Sequence, residues 1–137
     1  MREESERWLD EALWDLETAR ILHKNARHNA ACFYAQQAAE KAMKALLYSL
    51  NEAAWGHSVR ILIERYIEKT GDRDAEALLS DARELDRHYI PSRYPNAHPS
   101  GTAHEAYDQK TSENAIKSSE RIVELASRRL KEWLKKT

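Results

Sequence analysis

The side chains best suited to chemistry in this chain lie in one segment, residues 83–104, which is rich in arginine, histidine and tyrosine. Histidine exchanges a proton near neutral pH, and arginine offers a permanent charge with forked donors that suit phosphate and carboxylate groups. Pro91, Pro95 and Pro99 fall in the same segment and are all the prolines of the chain. Proline fixes φ and lacks a backbone donor, so the segment is held out of helical form. We therefore expect a functional site here.

The elements that position this segment are predicted to be helices. Only three glycines and three prolines occur in 137 residues, and charged residues make up 33% of the chain. Leucine, alanine, glutamate, lysine and arginine dominate, and this composition favours helix over strand. The size suits a single domain spanning residues 1–137. The predicted fold class is all-α.

Apolar periodicity predicts five helical stretches, at about residues 8–19, 30–52, 59–67, 74–89 and 115–133. Alanine supplies much of the wide apolar arc of the second stretch, so we expect it to be the central helix. The segment after the fourth stretch, about 90–103, is called the proline segment below. It is longer than the two to eight residues usual between bundle helices. Loops of that length are often functional.

Three polar residues are predicted to sit at helix starts. Asn29 is expected to cap the second helix, and Ser58 the third. His57 is expected to cap or hydrogen-bond near the third helix, because a lone histidine is seldom a metal ligand.

Charge and composition exclude several classes of function. The formal net charge of −1 provides no overall basic field for tight, non-specific nucleic-acid binding. Cys32 is the sole cysteine, so there is no internal disulfide and no metal-cluster spacing. We expect no cofactor and no metal. No apolar signal region and no apolar span of about 18 residues is seen, which predicts a cytoplasmic protein without a membrane contact.

Three segments together resemble the HEPN domain family. They read AQQAAEKAMKALL at 35–47, HSV at 57–59 and LDRHYIPSRYPNA at 85–97. The resemblance implies an up-and-down antiparallel bundle of four to five helices that commonly forms a homodimer. It also implies one of three activities: partnership with a small nucleotidyltransferase in a two-component or toxin–antitoxin system, nucleotide binding, or metal-independent ribonuclease activity.

The ribonucleases that this chain resembles use an arginine and a histidine four to six residues later. Two pairs match that pattern, Arg83 with His88 and Arg93 with His98. We favour Arg93 as the cation and His98 as the base, since Arg93 lies in the family-like stretch, and His88 could join Arg93 across the turn. A tyrosine two positions after the histidine is expected for the toxin subgroup, but Ile90 and Ser100 stand there.

The predicted nucleotide- or RNA-binding set extends beyond these pairs. Gln37 and Lys41 are expected to reach the proline segment from the second helix and complete a phosphate pocket. The structural alternative is that Arg93 pairs with a carboxylate of Glu84, Asp86 or Glu40. The full binding set is Arg87, Arg93, Tyr94, Asn96, Lys41 and Gln37.

Our hypothesis from the sequence is that the chain is the non-catalytic or toxin-like helical partner of a minimal nucleotidyltransferase in a two-component system. It would present the proline segment to nucleotide or RNA. The alternative is a metal-independent endoribonuclease. We expect a dimer through a face that bears alanine and aromatic residues. Trp14, Tyr34 and Trp55 fall off the simplest apolar stripes, and they either pack in the core or a groove or contact the second copy.

Overall fold

The structure is a computed structural model that describes residues 2–136, and within these residues it contains helices and turns but no strand. The predicted all-α class is confirmed. Five helices have eight residues or more, and two consist of four residues. In chain order they are α1 Arg2–Lys24, α2 His28–Ser49, α3 Val59–Thr70, α4 Arg73–Glu76, α5 Leu79–Asp86, α6 Ala103–Ala106 and α7 Gln109–Lys136, with a 3₁₀ turn at Pro95–Ala97 before α6.

Helix α2 is the central helix, as predicted, and it packs against α1, α3, α5, α6 and α7. Small side chains allow neighbouring helix axes to approach closely. Six alanines of α2 are completely buried by these neighbours, so they are not available for a contact with a second copy; they are Ala31, Ala35, Ala38, Ala39, Ala42 and Ala45. A dimer face that bears alanine and aromatic residues therefore stays a prediction, and these six alanines are not part of it.

Helix α3 begins at the predicted residue, Val59, and extends three residues beyond the predicted 59–67, to Thr70. The Ser58 hydroxyl accepts a hydrogen bond from the Ile61 amide at 3.1 Å, which confirms Ser58 as the N-cap. Gly71 ends the helix in the left-handed region at φ 70°. Asp86, the last residue of α5, accepts from the Ser58 hydroxyl at 2.7 Å and from the Val59 amide at 2.7 Å. This carboxylate therefore connects the end of α5 to the start of α3. The residues that it binds, Ser58 and Val59, directly follow His57 in the chain.

The start of α2 differs from the prediction. The helix begins at His28, its N-cap is Arg27, and no side chain caps it. Asn29 lies inside the first turn, where its side-chain amide donates to the Ser92 carbonyl at 3.0 Å. The prediction that Asn29 caps α2 is wrong, because this side chain instead fastens the proline segment to α2.

The predicted fourth helix is interrupted. Leu78 has φ −98° and ψ 1°, outside regular helix geometry, and it separates α4 from α5. Leu78 and Leu79 both pack against the core across this break. The apolar pattern therefore continues through an interruption that contains no glycine or proline.

Two of the three unassigned aromatic residues are not in the core. Trp14 is 74% exposed and Trp55 is 69% exposed, whereas Tyr34 packs partly buried against the core. Of the predicted core or groove packing, the core is therefore excluded for Trp14 and Trp55, whereas Tyr34 packs against the core. Among residues 2–136, no helix combines the length and the apolar character needed to cross a membrane.

Candidate functional site

The guanidinium of Arg93 lies among three aromatic rings. Phe33 comes from α2, Tyr89 directly precedes the proline segment, and Tyr94 belongs to it. The guanidinium carbon of Arg93 is 4.5 Å from the ring centroid of Phe33, 4.7 Å from that of Tyr89 and 5.0 Å from that of Tyr94. Its Nε donates to the Tyr89 carbonyl at 2.9 Å. Contacts with ring faces attract a cation and fix the plane of the guanidinium. We call this arrangement the Arg93 platform.

The charge of Arg93 has no carboxylate partner within residues 2–136. The three carboxylates that the sequence offered as ion-pair partners of Arg93 bind other groups. Glu84 accepts from Arg87 at 2.8 Å, Asp86 caps α3, and Glu40 accepts from Lys44 at 3.0 Å. Arg93 is half-buried, and in the described residues its Nη2 makes no hydrogen bond. It therefore offers a permanent charge and free donors to an anion.

The proline segment is held in place by hydrogen bonds at several points. The Ser92 hydroxyl donates to the His88 carbonyl, and the Ser92 carbonyl accepts from Asn29. His98 Nε2 donates to the Pro91 carbonyl at 2.7 Å, since a carbonyl can only accept. Pro95 begins the 3₁₀ turn. The rigidity expected from the prolines is thus reinforced by side chains.

Arg93 and His98 belong to the same segment, but no hydrogen bond joins them in the described part of the chain. The His98 ring packs edge-on against Tyr107, with centroids 6.2 Å apart. Together with its bond to Pro91, this contact gives His98 an anchoring position in the segment. Asn96 is exposed in the 3₁₀ turn, and Tyr94 is 46% exposed beside Arg93.

His88 points into the protein. It is 6% exposed, with Nδ1 2.9 Å from the Tyr107 hydroxyl and Nε2 3.3 Å from a carboxylate oxygen of Glu84. Burial lowers the pKa of His88, and Glu84 acts in the opposite direction. Both ring nitrogens are engaged, so His88 supports the turn from inside.

The residues predicted to extend the site from α2 have other contacts. Lys41 forms an ion pair with Asp15 of α1 at 2.7 Å. Gln37 donates to the side chain of Gln36 at 2.7 Å. Lys41 also lines a groove of about 490 Å³ along α1. Within residues 2–136, neither side chain forms a hydrogen bond to the proline segment. Arg87 is exposed and pairs with Glu84 next to that segment.

His57 joins the site through Tyr89, and the sequence placed it only as a cap or hydrogen-bonding residue near α3. Its ring stacks on Tyr89 with centroids 4.7 Å apart and planes 16° apart. Its Nδ1 lies 3.3 and 3.4 Å from the two carboxylate oxygens of Glu40. The His57 side chain is 59% exposed, whereas that of Glu40 is 5% exposed. An imidazole is therefore held between a buried carboxylate and the Arg93 platform.

Phe33 is the other site residue that sequence reasoning missed. It is far from Arg93 along the chain, and no motif marks it. Within residues 2–136, no group of three or more histidine, cysteine, aspartate or glutamate side chains could hold a metal ion. The arrangement offers a fixed cation, aromatic faces and an oriented imidazole, which together suit a phosphate attached to a base.

A model of the HEPN domain matches residues 5–130. This chain belongs to the HEPN family. The HEPN fold is also seen in solved structures. The Thermus thermophilus protein TT1696 is 35% identical with a TM-score of 0.86, and the match covers 91% of this chain and 97% of that chain. ST0689, described as an archaeal HEPN homologue, is 32% identical with a TM-score of 0.77, covering 93% of this chain and 98% of that chain.

Two further relatives extend the comparison. The HEPN domain protein TM0613 of Thermotoga maritima is 31% identical with a TM-score of 0.73, covering 91% of this chain and 98% of that chain. A Methanocaldococcus jannaschii protein named "Putative toxin MJ1304" is 28% identical, covering 86% of this chain and 82% of its own length. This HEPN chain is thus similar over most of its length to a protein named as a toxin.

Proposed function

We propose that this HEPN protein is the toxin-like component of a cytoplasmic two-component system, with a small nucleotidyltransferase as its partner. In this proposal it is a single-domain homodimer that binds single-stranded RNA or a nucleotide through the Arg93 platform. The observation that carries the proposal is the guanidinium of Arg93, held among three rings and without a carboxylate partner in residues 2–136. The similarity to a protein named as a toxin supports the toxin-like role.

The chemistry of the platform favours a ligand with both a phosphate and a base. A guanidinium binds phosphate through a charge-assisted, forked set of hydrogen bonds. Exposed aromatic faces, here Tyr94 beside Arg93, stack on bases with little regard to sequence. Because the net charge of the chain is −1, affinity must come from this local site rather than from a general basic field.

The binding test uses a short fluorescently labelled single-stranded RNA and fluorescence anisotropy. A charge-assisted hydrogen bond contributes about 1.5–3 kcal/mol, so Arg93→Ala should weaken binding by about tenfold to a hundredfold. Arg93→Lys should restore only part of it, because an ammonium group lacks the flat fork that lies on the rings. The control is Arg128→Ala, since Arg128 is an exposed α7 arginine paired at 3.9 Å with Glu124. Equal affinities for all four proteins would refute the binding site.

The partner test is separate from the binding test. Co-expression with a small nucleotidyltransferase encoded beside this chain should give a complex that elutes as one species in gel filtration. Two proteins that elute separately at micromolar concentration would refute the partnership and leave RNA binding to be judged by anisotropy.

A further inference from the structure

We propose that Trp55 and Arg65 form a second nucleotide subsite beside the Arg93 platform, so that the ligand of this protein is a strand of RNA rather than a single nucleotide. The proposal rests on the proposed function, because it extends the site at Arg93. It gives a role to Trp55, a large apolar residue that the core leaves 69% exposed.

The contact between Arg65 and Trp55 repeats the chemistry of the Arg93 platform. The guanidinium carbon of Arg65, on α3, lies 5.3 Å from the ring centroid of Trp55. Among residues 2–136, the arginines that lie over aromatic rings are Arg65 and Arg93, and neither forms an ion pair with a carboxylate there. Ring faces attract a cation and fix its plane. The protein thus holds two permanent charges on aromatic rings with no acid to neutralise them.

Arg65 keeps donors for a ligand. Its Nη1 donates to the Ala53 carbonyl at 3.3 Å, whereas its Nε and Nη2 make no hydrogen bond within the described residues. The side chain is half-buried, so its position is restricted while part of it still meets solvent. A guanidinium in this state can bind a phosphate through charge-assisted hydrogen bonds.

The indole of Trp55 offers a face to a base. Arg65 covers only part of a residue that is 69% exposed, so most of the ring surface meets water. Every base has a flat π face, and stacking on an aromatic side chain is therefore tolerant of sequence. Together the two side chains can receive one base and one phosphate.

The loop that carries Trp55, residues 50–58, is fastened to the rest of the protein. Ala54, the residue before Trp55, is only 7% exposed. Glu52 of the same loop pairs with Lys69 of α3 at 3.1 Å. A ligand that stacks on Trp55 consequently has little loop motion to suppress, and this lowers the entropy cost of binding.

Trp55 is connected to the Arg93 platform through His57. Only Gly56 separates the two residues, and two residues of chain span at most about 7 Å. The His57 ring stacks on Tyr89 at 4.7 Å, and the Arg93 guanidinium carbon lies 4.7 Å from the same Tyr89 ring. A short piece of chain and one stacked pair of rings therefore join the two arginine–aromatic contacts.

Two such contacts favour a ligand with several bases and several phosphates. A nucleoside monophosphate has one of each, so it can occupy one contact and leaves the other empty. A single strand presents successive bases and phosphates, and proteins that bind single strands combine aromatic faces with cations in this way. The arrangement therefore selects a strand by its length.

The experiment compares binding of tetrauridylate and of uridine monophosphate to the full chain by isothermal titration calorimetry. Stacking of one more base should make the tetranucleotide bind about fivefold to a hundredfold more tightly than the mononucleotide. Trp55→Ala should remove most of that advantage and leave the affinity for the mononucleotide within about twofold. Trp55→Phe should retain most of the advantage, because phenylalanine also presents a flat face. The matched control is Trp14→Ala, which removes a 74% exposed tryptophan from α1 and should change neither affinity.

The charge of Arg65 is tested by salt. Arg65→Ala should lower the magnitude of the slope of log affinity for the tetranucleotide against log salt concentration by about 0.7, the contribution of one phosphate contact on a single strand. Arg128→Ala, the control, should leave the slope unchanged. An unchanged slope in Arg65→Ala would overturn the assignment of a phosphate to Arg65.

Three results would overturn the second subsite. They are equal affinities for the two ligands, equal affinities of Trp55→Ala and Trp14→Ala for the tetranucleotide, and a Trp55→Ala protein whose mass by light scattering is half that of the unmodified protein. The last result would make Trp55 a contact between two copies. If binding still depends on Arg93 in these cases, the proposed function stands. Absence of Arg93-dependent binding of either ligand would refute the proposed function itself.

Discussion

Arg129 of α7 clamps the turn between α3 and α4, and its removal should make the stability of the fold less dependent on acid pH. Its guanidinium donates to Asp72 at 2.8 and 3.3 Å and also to Asp74, while the Tyr66 hydroxyl donates to Asp72 at 2.6 Å. These contacts, Arg129 above all, lower the pKa of the Asp72 carboxyl from 3.8 to about 2. The perturbation is Arg129→Met, which keeps the length and removes the charge.

The magnitude follows from the difference in proton affinity between the folded and unfolded chain. Each tenfold difference corresponds to about 1.4 kcal/mol, so holding Asp72 ionised contributes about 2 kcal/mol to the free energy of unfolding. The Asp72 side chain is 10% exposed, so solvent screening is small. Because the folded pKa is depressed, this contribution is complete above the unfolded value of 3.8 and is lost as the pH falls through about 2. Arg129→Met should therefore cost about 2 kcal/mol at pH 7 and about 0.5 kcal/mol at pH 2.

Urea unfolding followed by far-ultraviolet circular dichroism at pH 7, 5, 3 and 2 measures this difference. The matched control is Arg128→Met, which changes the neighbouring exposed arginine and should stay within about 0.5 kcal/mol of the unmodified chain at each pH. A loss for Arg129→Met that is equal at pH 7 and pH 2, or no loss at pH 7, would refute the linkage to Asp72.

Three further changes test how the fold is held. Asp86→Ala removes the acceptor at the start of α3 and should lower the free energy of unfolding in urea by about 2 kcal/mol; an unchanged midpoint would contradict this. Gly71→Ala places a β-carbon at φ 70° in open space, so it should cost about 1 kcal/mol through backbone strain alone, seen as a lower thermal midpoint. Ala39→Leu overfills the centre of α2 and should cost about 1–3 kcal/mol by calorimetry, whereas a neutral result would mean that α2 is not tightly packed.

The sequence was sufficient to predict the class of fold and the central place of α2. A local signal at Ser58 also predicted the start of α3, because a capping side chain acts within one turn. Asn29 was misassigned because its side chain bonds to Ser92, a contact that no local rule contains. The break at Leu78 was missed because it has no proline or glycine.

The candidate site was located by the prolines, but its composition was only partly predictable. Arg93 was found from the segment itself. Phe33 comes from α2 and belongs to no motif. His57 was predicted only to cap or hydrogen-bond near α3, because its stacking on Tyr89 is a tertiary contact that the local sequence does not indicate. His98 and Lys41 were assigned roles by sequence pattern, while the structure places them against Pro91 and Asp15. Tertiary partners, rather than spacing along the chain, decide which polar side chains remain available.

The central claim is that the charge of Arg93 is available to a phosphate, and the salt dependence of RNA binding tests it most directly. One phosphate contact on a single strand contributes about 0.7 to the slope of log affinity against log salt concentration. Arg93→Ala should therefore lower the magnitude of this slope by about 0.7, and Arg128→Ala should leave it unchanged. The same slope and affinity in Arg93→Ala as in the unmodified chain would contradict the claim.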